Sequence, residues 1–249
     1  MEKYIKSYEN FIKEAKENDV NTNSDDKELD LSDEILNDYS FKKIDYYYLK
    51  NKLDKMLVKD MYDMIEDNEY RAFATFSDNI EYFEEIPCNL IALVNYPPLR
   101  FNKRTIKDAI ESIKKYEYVD EIEFPWDLSY NNFGVDFWRD IILDVSNNGF
   151  ILRPMVEFGI WSDTQIKQTI EFFKKINIMN IMTSTGLNSN ITTIDKWNDI
   201  KKLIPNKWVV KVGGILNIND INNFIKSDVD LAATTISLKA TYGEELGLN

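Results

Sequence analysis

Five charged residues stand inside otherwise apolar runs of this 249-residue chain: Asp45 in KIDYYY, Glu123 in DEIEF, Arg153 and Glu157 in ILRPMVE, and Lys211 in KWVVKV. A charge among apolar neighbours is costly unless it is paired, so such residues mark sites more often than cores. If the folded chain brings them together, three acids and two bases converge. Glu123 with Glu157 could then act as a carboxylate acid/base pair. Lys211, flanked by Val210 and Val212, could act as an amine nucleophile toward a carbonyl. A structural ion-pair network lining a barrel is the plainer third reading. A further candidate is the small, polar run Thr183, Ser184, Thr185 and Gly186 in IMTSTGLNS, which reads as a strand ending in a loop that faces a ligand.

Composition narrows the chemistry. The chain has no histidine and a single cysteine, Cys88. That excludes Ser-His-Asp and Cys-His catalysis, histidine-ligated metals, an internal disulfide and a cysteine-rich zinc site. Any chemistry then runs on Lys, Asp, Glu, Tyr, Ser/Thr or a borrowed cofactor, and the expectation is no metal and no resident cofactor. The net charge of −13 argues against nucleic acid and against an anionic membrane as partners. Much of that charge is local, with 12 Asp/Glu against 5 Lys/Arg in residues 1–40. The start of the chain lacks the apolar core of a signal peptide, and no apolar run approaches the ~20 residues that span a bilayer. A cytoplasmic protein is the expectation.

Residues 1–40 read as an acidic extension with helical and linker character, with Tyr4, Ile5, Tyr8, Ile12 and Ala15 at helical spacing. From residue 41 to 249 a rhythm sets in. Short apolar runs recur at 43–48, 71–76, 89–95, 120–124, 151–157, 178–183, 207–212 and 229–235, with helix-period segments between them. One such segment, 103–117, puts Ile106, Ala109, Ile110 and Ile113 on one face. Another, 163–175, puts Ile166, Ile170 and Phe173 on one face, with Asp163 as its cap. Strand alternating with helix eight times predicts an α/β fold, a (β/α)8 TIM barrel, with function at the C-terminal strand ends. Alternation along the strands then pairs Glu121 with Glu123, Arg153 with Met155 and Glu157, Asn180 with Met182, and Val209 with Lys211 on shared faces.

Taken in order, these strand ends resemble the deoxyribose-phosphate aldolase family. MTSTG (182–186) resembles the Lys-Thr-Ser-Thr-Gly that ends the family's sixth strand. LRPMVEFGIWSDTQI (152–166) is similar to its fifth strand and the helix after it, with Arg153 in a lysine position and Glu157 retained. EIE (121–123) matches Glu-Ile-Asp, NYPP (95–98) the Phe-Pro turn, VKVGGI (210–215) a Val-Lys-x-x-Gly-Gly-Ile strand one residue longer, and Asp45 the first-strand aspartate. The resemblance implies a class I aldolase, a carbon–carbon lyase in which a lysine forms a Schiff base with the substrate.

The nucleophile position carries Met182, which has no amine, so the family's route is expected to be absent. Glu123 replaces the family's proton-moving aspartate with one methylene more. Leu216 stands where the family commonly places an arginine, and ATTIS (233–237) lacks two glycines of the phosphate loop. Gly186, Gly213 and Gly214 remain, so half a phosphate cradle is implied, for a phosphorylated small-molecule ligand. Three readings stay open: a pseudoenzyme with the aldolase fold that binds a small ligand or serves as a partner subunit, an active aldolase with Lys211 as relocated nucleophile, and a barrel enzyme using Glu123 and Glu157. In the last, Trp126, Trp138 and Trp161 could serve as sugar platforms, against the plainer reading of packing. A homo-oligomer is compatible with each.

Overall fold

The computed structural model describes residues 41–49, 55–96, 102–187, 192–215, 218–227 and 229–235. Eight parallel strands close into a barrel in sequence order: β1 (Ile44–Tyr48), β2 (Ala72–Phe76), β3 (Asn89–Leu93), β4 (Glu121–Pro125), β5 (Ile151–Met155), β6 (Asn180–Met182), β7 (Val209–Ile215) and β8 (Leu231–Thr234). Each falls within or beside one of the eight apolar runs. The acidic extension, the residues after Thr235, Leu216 and the Pro97–Pro98 turn lie outside the described residues.

Among the described residues six α-helices form the outer layer: α1 (Lys55–Asn68), α2 (Lys103–Ile113), α3 (Val135–Asn147), α4 (Asp163–Ile176), α5 (Ile194–Ile200) and α6 (Ile218–Lys226). The β2–β3 connection is a 3-10 segment, Ser77–Tyr82. Helix α4 shows how the sequence sets an element. Ser162, rather than Asp163, is the N-cap, and it exchanges hydrogen bonds with Gln165 in a capping box; Asn177 ends the helix in the left-handed region. Ile166, Ile170 and Phe173 are buried on one stripe.

Alternation divides the apolar side chains into two clusters. Tyr46, Phe73, Leu90, Ile122, Leu152, Ile181 and Val210 point outward and pack under the helices. Tyr47, Ala72, Ala74, Ile91, Leu93, Met155, Met182 and Ala233 point into the barrel. The inward set carries charges as well: Asp45, Glu121, Glu123, Arg153 and Lys211 are all buried. Trp126 and Trp138 belong to the outer packing, 3% and 0% exposed; Trp138 stacks on Phe124, and Trp126 packs tilted against Trp138 and Phe124 and edge-on against Phe173. Those two rings are packing residues rather than sugar platforms. Trp161 is half-buried and packs on Phe158.

Candidate functional site

The interior charges lie toward the N-terminal side of the barrel, on Asp45 of β1, Arg71 just before β2, Glu121 and Glu123 of β4, Arg153 of β5 and Lys211 of β7. Arg71 grips Asp45 with two nitrogens, at 2.6 and 2.5 Å, and reaches Glu121 at 2.6 Å. Arg153 donates to Glu121 at 3.1 and 3.0 Å, lies 3.2 Å from Glu123, and donates to the Val209 carbonyl at 3.3 Å. Lys211 Nζ touches Asp45, lies 2.6 Å from Glu123 and 3.8 Å from Glu121, and donates to Tyr47 Oη at 3.2 Å. Three carboxylates thus face three cations, a neutral cluster on four strands and the residue before β2.

The cluster matches the sequence expectation for Asp45, Glu123, Arg153 and Lys211 and differs in membership. Arg71 and Glu121 belong to it; Glu157 does not. Glu121 could have been named from its shared face with Glu123. Arg71 precedes its strand, and its parity in the run 71–76 is that of the outward-facing Phe73.

Electrostatics follow the geometry. Burial alone would raise the Glu121 carboxyl, but the charges of Lys211, Arg153 and Arg71 outweigh it and hold that group well below the usual carboxylate range. Burial first, then the Glu123 and Asp45 charges, push the Tyr47 phenol well above its ordinary value, so its oxygen carries a proton and donates it to Glu123. Outside the barrel, burial and then the Asp45 charge push the Cys88 thiol up to about 12, which leaves it unreactive as a thiolate.

Tyr47 divides the interior. Below it are Lys211 and Glu123; on its other side it lines a cavity of about 30 Å³ at the C-terminal strand ends, room for roughly two water molecules. Met182 lies on the same wall, its sulfur 3.5 Å from the Tyr47 oxygen, and is 2% exposed. Met182 pairs in register with Met155 and with Lys211 on the flanking strands. Lys211 is 0% exposed and is not part of the cavity wall.

The loop after β6 is bound internally. Thr185 donates its amide (3.3 Å) and its hydroxyl to the Glu157 carboxylate, and Ser184 Oγ lies 3.5 Å from it. Gly186 N–H donates to Ser184 Oγ at 3.1 Å and Leu187 N–H to Thr185 Oγ1 at 3.2 Å. Thr183 is buried, its amide spent on the Lys211 carbonyl at 2.9 Å. Tyr96 Oη clamps the loop by donating to the Thr185 carbonyl at 2.7 Å.

The glycines of the implied cradle have packing reasons. A Cβ on Gly213 would collide with the Met182 methyl and the Ser184 carbonyl. Gly186 has φ +75°, and a Cβ there would press on the Gly214 Cα at 3.4 Å. Gly213 and Gly214 also fall where the β7–β8 register shifts, between Val212 and Ile215. Among the described residues no group of His, Cys, Asp and Glu could hold a metal ion, and no helix is long and apolar enough to cross a membrane.

No protein-family model matches this chain, and no curated protein does. Its fold has solved counterparts. An aldolase named QR15 matches at a TM-score of 0.70 and 19% identity, over 82% of this chain and 99% of that one. The deoxyribose phosphate aldolase of Aeropyrum pernix, described as having a unique tetrameric structure, matches at 0.71 and 15%, over 80% and 88%. At such identities the likeness is one of fold: the chain has the barrel of these aldolases.

Proposed function

We propose that this chain is an aldolase-fold barrel without Schiff-base chemistry, a pseudoenzyme whose remaining capacity is to bind a small molecule at the barrel mouth. The observation that carries the reading is the setting of Lys211. Its amine is fully buried, contacts Asp45 and Glu123, and is separated from the cavity by Tyr47 and Met182. To attack a carbonyl it would have to give up two buried ion pairs, leaving Asp45 to Arg71 and Glu123 to Arg153, which already serve Glu121, at a cost of several kcal/mol. Met182 supplies no amine in its place, and its apolar, adaptable side chain fills the space between Tyr47 and Gly213.

The carboxylate reading loses its pairing. Glu123 is committed to Lys211, Arg153 and Tyr47, and Glu157 to the Thr185 loop. The relocated-nucleophile reading keeps one observation in its favour. The Tyr47 hydroxyl touches both Lys211 and the Met182 sulfur, so a single side chain stands at the passage between amine and cavity.

Borohydride trapping separates the two. Incubation with acetaldehyde or deoxyribose 5-phosphate, reduction and peptide mapping are expected to give no adduct on Lys211. A stoichiometric adduct there, absent from Lys211→Met, would restore the aldolase reading. Assembly into a homo-oligomer is a separate proposal, checked by sedimentation.

A further inference from the structure

The floor of the barrel, at the N-terminal ends of the strands, is apolar and partly exposed. Ile151, Asn180, Val209 and Leu231 are the first residues of β5, β6, β7 and β8. Register puts them on the interior face: Ile151 pairs with Glu121, Val209 with Asn180, and Leu231 with Lys211. None of the four is fully buried, and Ile151 is 38% exposed. Met179, one residue before β6, is 39% exposed at the same end. The Val209 carbonyl accepts from Arg153 at 3.3 Å, so the floor lies directly against the ion pairs. Water that reaches it weakens pairs whose attraction depends on a dry surrounding.

The helix ends and turns around this floor carry Lys175, Lys202, Lys207 and Lys226. All four are exposed, and among the described residues none has an ion-pair partner. The acidic extension joins the barrel at this same end, through Phe41–Lys43 directly before β1. Its stretch 19–40 holds eight acids against one lysine and puts Ile35, Leu36 and Tyr39 at helical spacing. That is the complement of the floor, acids for lysines and an apolar stripe for an apolar surface. Reach favours the chain's own barrel. Ile35 stands six residues before Phe41, about 20 Å of extended chain, whereas β7 lies two strand spacings from β1, about 10 Å. A segment tethered so closely meets its own floor at an effective concentration that a second copy does not match. We propose that residues 19–40 dock under the barrel of their own chain, with Ile35, Leu36 and Tyr39 on the floor and the acids on these lysines.

The test uses the full chain, unlabelled and 15N-labelled in equal mixture, treated with a carbodiimide that joins a carboxylate to an amine without a spacer. Peptide mass spectrometry is expected to find acids of 19–40 coupled to Lys175, Lys202, Lys207 or Lys226 within chains of one isotope. Coupling to Lys103 and Lys107, exposed at the opposite end in the first turns of α2, is expected to be at least fivefold weaker. No coupling to the floor lysines, or equal coupling at both ends, would overturn the proposal. So would mixed-isotope pairs at their statistical share, which would make the segment an arm exchanged between two copies. A second readout follows the apolar contact through peroxide oxidation of methionine. Met179 is expected to oxidise at least fivefold more slowly than Met56, which is 75% exposed. The double variant Ile35→Asp, Leu36→Asp is expected to speed Met179 severalfold and leave Met56 unchanged. A ratio near twofold in both proteins, what the two exposures alone give, would contradict docking. Neither readout involves Lys211, so the proposal stands or falls apart from the non-catalytic reading.

Discussion

The two halves of the barrel interior have opposite chemistry among the described residues. Toward the N-terminal side, Asp45, Glu121 and Glu123 face Arg71, Arg153 and Lys211 in a closed set of ion pairs. Toward the C-terminal side, the cavity wall has no charged side chain among the described residues. In barrels of this kind chemistry is done at the C-terminal end, while the opposite end serves stability. Here the described ion-pair cluster sits in the half suited to stability, and the described cavity wall at the other end is tyrosine, leucine, methionine, alanine, glycine and threonine. Charged residues in a barrel are therefore not in themselves a site; what matters is whether any of them is left over for a substrate.

The comparison can be broken most forcefully at Lys211. Lys211→Met leaves Asp45 and Glu123 buried against two arginines that already have partners, so a loss of roughly 3–5 kcal/mol is expected in urea unfolding. A loss below about 1 kcal/mol would mean that the charges are not a mutually dependent set. Acid should dissolve the same half first. The Glu121 carboxyl is lowered from its ordinary 4.5 by the three cations against the opposing effect of burial, so its contribution is complete above about that pH. It drains as pH falls further, toward the lowered value of the folded state. Glu121→Gln is expected to lower stability at pH 7 and to flatten the unfolding profile below pH 4.5. An acid limb unchanged in that variant would assign it to other carboxylates.

At the boundary between the halves, Tyr47→Phe removes the hydroxyl shared by Glu123 and Lys211. A loss of roughly 1–3 kcal/mol is expected, smaller than that at Lys211 because the ion pairs persist. The smallest effect belongs to the mouth. Thr235→Ala, at an exposed position, should change stability by no more than about 0.5 kcal/mol in the same urea unfolding; a loss as large as that of Tyr47→Phe would mean that the mouth also carries stability.

The barrel and the inward positions were legible because period 2 and period 3.6 alternate so regularly along the chain. Eight apolar runs announced eight strands, and the same alternation put Asp45, Glu123, Arg153 and Lys211 on one interior. Arg71 escaped because, as the first residue of the run 71–76, it shares a parity with the outward-facing Phe73, yet it reaches Asp45 and Glu121 from one residue before β2 begins. Glu157 was assigned to the wrong neighbours because it lies two residues past the end of β5, where the chain has left the pleat and turned toward the next loop. The Ser162 cap was misread by one residue because Ser and Asp both cap well. The decisive property, that Lys211 is walled off from the cavity, depends on how Tyr47 and Met182 pack across β1 and β6, and no local pattern encodes such a contact.

The most direct test of the account is the reactivity of the Lys211 amine in the folded protein. Reductive methylation with formaldehyde and a mild hydride forms and traps a Schiff base on every lysine that can reach the reagent, and peptide mass spectrometry reads each one. The account predicts that exposed lysines such as Lys175 and Lys202 are modified at neutral pH while Lys211 stays unmodified until the chain is unfolded in urea. Methylation of Lys211 in the folded chain at a rate equal to or above that of the exposed lysines would contradict it, and would mean that the buried cluster holds an available nucleophile after all.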